Sequence, residues 1–415
     1  MKTMKTILFL CCIFVLLSGC GNRNKSNIII NDILLSNETD EDDGDRFYLI
    51  DLEQHVKNRF ADEFTINSIA KDITFIPLET TDESLLRMSD FKIAKINERY
   101  YISSGSIYLF SGIMEFDTTG HYIKHLMLKN PGNGPNELPR FVYNWTYNNN
   151  TQLLVASSSY QIVLHSFERN TTNKYTLSSA SWDECLLNDG TMASLLDATG
   201  LVAQGSPDIP YIHFRNQEGE IIRSIFYPEK RDIAYSNLDQ TSLSSYKLLS
   251  HYSCDALFQD VFSDTIQRIR NMEDIKPYMV LYRGSLAPSP KDANNQARIN
   301  QTITINAILD TKHFIFIRFK QRNETNISVW NKETLSFIAN LKAVYNDEND
   351  IVLRGNGHRW NFTKYISPTG KEMLIPILSY QDGKLYSVID AEQAMEFLPG
   401  LVEDDNPVLM IIDID

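Results

Sequence analysis

Short apolar runs of strand length recur along the chain from about residue 62 to its end. Ile, Val, Tyr and Phe dominate these runs, and clusters of Asn, Asp, Gly and Thr bound them, as at 73–78, 152–156 and 313–317. This pattern is typical of β-strands. Helical periodicity is limited to two short segments, 239–249 and 391–397. The pattern therefore predicts an all-β body of more than twenty strands over residues 62–415.

A strand–turn–strand unit repeats within this body. Its clearest copy spans 113–123, with a polar turn that contains Gly120. Equivalent apolar positions are separated by 51, 47, 55 and 61 residues, at Phe116, Phe167, Phe214, Ile269 and Trp330. Their mean spacing of 53.5 residues fits a four-stranded antiparallel unit of about 40–50 residues with modest insertions.

Four-stranded units of this kind cannot bury both faces alone, and their exposed edges invite aggregation. Radial packing covers the faces. Five copies are visible, and residues 340–413 supply one more. We therefore predict a six-bladed β-propeller of four-stranded antiparallel blades, closed by pairing of strands from 64–80 with the last strands of the chain. Separate β-sandwiches are the alternative, but no break in composition marks such units.

The first nineteen residues have the pattern of a secretory signal. Lys2 and Lys5 precede an apolar run of eleven residues at 7–17, which is too short for a spanning helix of roughly 20 residues. The following Leu17-Ser18-Gly19-Cys20 resembles a bacterial lipobox, which implies cleavage before Cys20 and its acylation. Gly21, instead of Asp, implies sorting to the outer membrane. The alternative is a secretory signal with an unrelated cysteine.

These features divide the chain into three parts: a lipoprotein signal peptide at 1–19, a lipidated, flexible, acidic tether at 20–61 and the propeller at 62–415. We expect an outer-membrane lipoprotein of the cell envelope, held to the membrane by its N-terminal acyl anchor. Both the periplasmic and the surface orientation remain open. We expect the body to be a monomer.

The net charge of −14 follows from 53 Asp and Glu against 39 Lys and Arg. Cleavage of the signal removes two lysines, which leaves 37 minus 53, or −16. Nucleic acid is excluded as a partner, because it requires clustered basic residues.

Two cysteines remain besides Cys20 after cleavage of the signal. Cys185 and Cys254 either pair in the oxidising envelope or stay as buried thiols.

Segments at both ends and in the middle of the body resemble the six-bladed β-propeller lipoproteins of gut Bacteroidota, whose architecture is related to NHL-repeat propellers. The matching segments are Ile76–Leu86, Phe116–Gly120, Gly132–Glu137, Phe262–Ile269 and Asp405–Met410. One departure is Gln267, where the family usually has Tyr. The resemblance implies the closed propeller fold and points to no particular activity.

Candidate ligand contacts lie in two loops. His358, Arg359 and Trp360 combine an imidazole, a planar cation and an aromatic ring, which together can stack on a sugar or hold a carboxylate. Glu137 and Arg140 follow a Gly-rich turn and are placed by hypothesis at the mouth of the ring. The alternatives are a hairpin whose Trp packs between blades and a purely structural turn.

The sequence contains no H-E-x-x-H, C-x-x-C or G-x-S-x-G motif, and the Ser-x-x-Lys match at Ser244 and Lys247 has no other feature of its enzyme class. We therefore favour a non-catalytic binding protein whose propeller loops hold a glycan, a peptide or an envelope protein, with no cofactor and no metal. A hydrolase or lyase with an active site at the mouth of the channel is the alternative, because propeller enzymes scatter their catalytic groups over several blades.

Overall fold

Twenty-seven strands hold more than half of the residues that the computed structural model describes. The described residues are 46–56, 64–86, 91–104, 111–127, 144–158, 160–178, 181–196, 210–226, 248–252, 255–259, 262–289, 295–322, 324–342 and 361–415.

Six blades of four antiparallel strands each form a β-propeller, as the repeat predicted. Blades 1 to 3 are β3 Lys92–Ile96, β4 Arg99–Ser103, β5 Ile113–Phe116 and β6 Tyr122–Met127; β7 Asn144–Asn148, β8 Leu153–Ser157, β9 Gln161–Ser166 and β10 Thr171–Thr176; and β11 Ser181–Leu186, β12 Met192–Leu196, β13 Pro210–Arg215 and β14 Ile221–Phe226. Blades 4 and 5 are β15 Leu248–Tyr252, β16 Asp255–Gln259, β17 Thr265–Ile269 and β18 Ile275–Tyr282; and β19 Thr304–Asp310, β20 Phe314–Gln321, β21 Glu324–Asn331 and β22 Phe337–Lys342.

Blade 6 joins the two ends of the body. Its strands are β25 Ser379–Gln381, β26 Lys384–Ile389, β27 Val408–Asp413 and the early strand β2 Asp72–Pro77. β2 and β27 pair antiparallel from Asp72 opposite Asp413 to Pro77 opposite Val408. The predicted closure of the ring is therefore confirmed.

The repeated unit of the sequence is the third strand and following turn of blades 1 to 5. The five aligned positions lie in or directly after β5, β9, β13, β17 and β21.

The turn glycine of blade 1 has a specific packing role. Gly120 has a φ of +90°, and a Cβ placed there would lie 2.1 Å from the carbonyl oxygen of Pro77. The third-to-fourth turn of blade 1 thus packs on the end of the outer strand of blade 6.

Residues 48–56, which we call the N-terminal strap, are part of the fold. β1 Tyr48–Asp51 adds to the outer edge of blade 4, parallel to β18, and helix α1 Leu52–Val56 follows it. The buried side chains of Tyr48, Ile50 and Leu52 join the core between blades 4 and 5. The predicted tether at 20–61 therefore extends too far, because the strap buries apolar side chains.

Two other regions refine the predicted layout. A separate hairpin, β23 Asn361–Ile366 and β24 Glu372–Ile377, packs into the core shared by blades 5 and 6. The helix predicted at 391–397 is present as α3 Ala391–Ala394, and α2 Gln296–Ile299 and two short 3-10 turns, Ile66–Ser68 and Gly284–Leu286, are also formed. The helix predicted at 239–249 is wrong at its end, because β15 starts at Leu248, and its remainder lies outside the described residues.

Polar contacts join every blade to the next in a closed circuit, mostly at or beside the turns between first and second strands. The six junctions are joined by Asn97–Gln152 (2.8 Å), Asn150–Asn188 (2.7 Å), Asn188–Asp255 (3.3 Å), Tyr278–Asp310, Lys312 N–Tyr380 Oη (3.1 Å) and Gln381 Nε2–Lys95 O (2.6 Å). Since each blade is fixed to both neighbours, the ring is a rigid support for its loops.

Candidate binding surface

The candidate ligand contacts predicted from the sequence all lie outside the described residues. They are Glu137, Arg140, His358, Arg359 and Trp360. Cys20 and Cys254 also lie outside these residues, while Cys185 is fully buried between blades 3 and 4. These assignments remain predictions.

Two connections meet at the end of blade 6 where β2 stops, β26 stops and β27 starts. Pro77 and Ile389 both lie opposite Val408 in the sheet. The chain leaves β2 through residues 78–86 and returns from β26 to β27 through residues 390–407. Both connections therefore start from one edge of the closing blade.

Asn406 fixes these connections to each other. Its side-chain oxygen accepts a hydrogen bond from the N–H of Leu86 at 2.7 Å. Its Nδ2 group donates to the carbonyl oxygens of Glu79 at 2.7 Å and Ser84 at 2.9 Å. The backbone N–H of Asn406 donates to Thr80 Oγ1 at 2.7 Å. A side chain that is 1% exposed thus bonds three backbone groups of a segment more than 300 residues away.

Each connection is also ordered by its own short-range hydrogen bonds. The hydroxyl of Ser84 accepts from the N–H of Thr81 at 2.9 Å and donates to the carbonyl oxygen of Glu79 at 2.7 Å. In the second connection, Asp405 Oδ2 accepts from the N–H of Val402 at 2.8 Å. Ser, Thr and Asp side chains satisfy loop backbone groups in this way. Both loops are therefore ordered before any ligand arrives.

Apolar and acidic side chains point outward from this pinned pair of loops. We call residues 79–86 and 401–406 together the Asn406 surface. Leu85 is 48% exposed and Val402 is 57% exposed. Four exposed carboxylates surround them in sequence, and none forms an ion pair with a described residue: Asp82, Glu83, Glu403 and Asp404.

Charged groups inside the ring have structural partners instead. Lys332 Nζ lies 3.0 Å from Asp310 Oδ1, and the hydroxyl of Tyr278 donates to the other carboxylate oxygen. Burial raises the pKa of Asp310, while the Lys332 charge opposes the rise. Nearby, Arg268 Nε donates to Asp255 Oδ2 at 2.6 Å. The Tyr278 hydroxyl joins blade 4 to Asp310 of blade 5, whereas the Arg268–Asp255 pair lies within blade 4. Both ion pairs neutralise charge that burial would otherwise penalise.

Three buried or half-buried histidines are held by hydroxyl groups. His125, His165 and His213 each have Nδ1 within 2.9 Å of a hydroxyl oxygen, those of Tyr122, Thr172 and Ser224. Burial lowers the pKa of each, and that of His213 falls to about 4, with a further contribution from the charge of Arg215. These imidazoles are therefore neutral at pH 7.

The described residues contain no group of three or more His, Cys, Asp or Glu side chains placed to share a metal ion. No helix among them is both long and apolar enough to span a bilayer.

Sequence reasoning missed the Asn406 surface, although residues 79–86 and Asn406 itself lie in segments that carry the family resemblance. The segments Ile76–Leu86 and Asp405–Met410 contain Asn406 and its hydrogen-bond partners. The occurrence of both segments at opposite ends of the body was the one sequence feature that could have pointed to their contact. A local pattern cannot show that two distant segments touch, so only the closed ring reveals the pair.

The fold has a clear structural neighbour in Bacteroides. The chain is similar to the crystal structure of the Bacteroides fragilis protein BF0058, which is named as an exported protein, with 15% identity, coverage of 89% of this chain and 99% of that chain, and a TM-score of 0.59. A member of the DUF4221 family from Bacteroides vulgatus has 14% identity, coverage of 83% and 96%, and a TM-score of 0.45. At these identities the likeness is one of fold alone. No curated protein sequence matches the chain.

Family membership rests on the sequence itself. The model of a family described as "Domain of unknown function (DUF4934)" matches residues 47–413. The match begins one residue before β1 and ends with β27, so it covers the N-terminal strap and all six blades. The chain therefore belongs to the DUF4934 family.

Proposed function

We propose that this chain is a lipid-anchored protein of the cell envelope that binds a ligand without transforming it, and that the Asn406 surface takes part in binding. The lipobox-like segment ending at Cys20 supports the anchor. A structural neighbour that is named as exported is consistent with an envelope location.

The binding proposal rests on the hydrogen bonds of Asn406 to residues 79–86, which we call the Asn406 pin. The buried side-chain amide of Asn406 makes three hydrogen bonds and its backbone N–H makes a fourth, so that the two loops are held together while Leu85 and Val402 remain exposed on them. Ordering a loop costs conformational entropy, and when the order forms only on binding, the contacts with the ligand must offset that free-energy cost. Loops ordered in advance reduce that cost, as a recognition surface requires.

Glycan and peptide arrays probed with the soluble mature protein, from residue 21 onward, test this proposal. We expect retention on specific array members, and loss of retention in a Leu85→Ser/Val402→Ser double variant. Both positions are exposed, so the variant folds as the parent does. Retention that the double variant leaves unchanged contradicts the assigned surface. Cleavage of a retained compound, detected by mass spectrometry, contradicts the non-catalytic function and favours the hydrolase or lyase alternative.

A further inference from the structure

We infer that the Asn406 surface recognises a peptide segment of a partner protein in which apolar side chains are flanked by Lys or Arg. The inference rests on the proposed binding function and names the chemistry of the ligand. It is carried by the charges and apolar groups that the pin holds in place.

The apolar part of the surface is centred on the pin. Leu85 lies between the Ser84 carbonyl and the Leu86 N–H, both of which bond the Asn406 side chain. Val402 is bonded to Asp405, the residue directly before Asn406. Two exposed apolar side chains therefore lie on the two loops that Asn406 holds together. Burying them against a partner removes apolar area from water, which is favourable.

The acidic part of the surface selects the partner. Asp82 and Glu83 precede Leu85 on one loop, and Glu403 and Asp404 follow Val402 on the other. Since none of the four is paired with a described cation, the surface offers four carboxylates for intermolecular ion pairs. A neutral or acidic ligand that covers the surface would partly desolvate these charges without pairing them. Lys or Arg beside an apolar anchor satisfies both parts at once.

The overall charge of the protein acts in the same direction. Without the signal peptide the chain carries a formal charge of 37 minus 53, or −16. A negative protein attracts basic ligands over distances of about the Debye length and accelerates their association. Recognition of a basic segment is therefore favoured both on approach and in contact.

Fluorescence anisotropy with short labelled peptides tests the inference. The probe peptide has a central leucine pair with lysines on both sides, and two comparison peptides replace the lysines by glutamate or the leucines by serine. We expect the soluble mature protein to bind the probe, to bind each comparison peptide about tenfold or more weakly, and to lose affinity as salt rises. Equal binding of all three peptides, or of none, overturns the inference.

Matched variants locate the binding site. Val402→Ser and the pair Glu403→Gln/Asp404→Asn should each weaken probe binding about tenfold, and the charge pair should also flatten the salt dependence. Ile222→Ser removes an apolar side chain of similar exposure (45%) on β14 and should leave binding unchanged. Glu168→Gln/Glu218→Gln makes the same charge change on blades 2 and 3 and should also leave it unchanged. Equal losses in control and test variants contradict the site.

The glycan array separates this inference from the proposed function. If a glycan binds in a Val402-dependent manner and the basic peptide does not, the binding function holds and the peptide inference fails. If neither ligand depends on Leu85 or Val402, both proposals fail.

Discussion

The side-chain oxygen of Asn406 lies 2.7 Å from the backbone nitrogen of Leu86, across 320 residues of chain. This hydrogen bond spans from the entry of the first blade to the final strand. It couples closure of the ring to the order of the loops that we assign to binding, because the same amide also holds Glu79 and Ser84.

Replacement of Asn406 by alanine should lower the free energy of unfolding by about 2–4 kcal/mol. The variant removes the Asn406 partner of the buried Ser84 carbonyl and Leu86 N–H, and each such group costs about 1–3 kcal/mol before local rearrangement, while the Glu79 carbonyl keeps its hydrogen bond from Ser84 Oγ. Urea denaturation followed by tryptophan fluorescence measures the change. Asn173→Ala, at an exposed position of β10, should change stability by no more than about 0.5 kcal/mol. Equal effects at the two positions would contradict the role of the pin.

Two glycines with similar φ angles should respond differently to alanine. Gly120 has φ +90° and Gly370 has φ +85°, but a Cβ at Gly120 would lie 2.1 Å from Pro77 O, whereas one at Gly370 meets nothing within 4 Å. Gly370→Ala should cost only the backbone strain, about 1–2 kcal/mol. Gly120→Ala should cost at least twice as much, since it also separates blades 1 and 6. Chemical denaturation of both variants checks the ratio, and a ratio near one rules out the packing contact.

Acid should destabilise the protein partly through His213. The pKa of this buried imidazole is about 4 in the folded chain and about 6.5 when unfolded. The unfolded state therefore binds more protons between these values, and stability is lost as the pH falls from 6.5 to 4. The full contribution is on the order of 3 kcal/mol.

A His213→Gln variant isolates this contribution. We expect its stability to fall less steeply than that of the parent over the same pH range, as measured by denaturation at several pH values. Parallel curves for parent and variant would show that His213 does not titrate as its burial requires.

Substitution of Cys20 by alanine should abolish membrane attachment. The unaltered protein, produced in a bacterial host that processes lipoproteins, should partition into the detergent phase after phase separation. The variant should appear as a soluble or unprocessed form, because no acyl chain is attached. Recovery of the unaltered protein from the aqueous phase would defeat the lipoprotein assignment.

The sequence predicted the propeller because its repeat comes from local chemistry. An apolar third strand, a polar turn and a fourth strand follow one another in five blades, so a fixed spacing reports each blade. The closing pair of β2 and β27 was predictable as well, since the ends of a ring must protect their edges.

The N-terminal strap shows where such reasoning stops. Only four residues form β1, and they pair with Met279–Tyr282 more than 200 positions away. Acidic neighbours give the segment the composition of a solvated tether. The same limit applies to the Asn406 surface, whose two halves carry recognisable local turns but no sign of their contact.

The strap determines how the body bears mechanical load. The chain enters the ring at Phe47, beside blade 4, while the ring is sealed in blade 6. A pull on the chain from its N-terminal side reaches β1 first, so that the pairing of β1 with Met279–Tyr282 of β18 bears the load first. Tension on the N-terminus therefore acts on β1 before it acts on blade 6, the sheet that closes the ring.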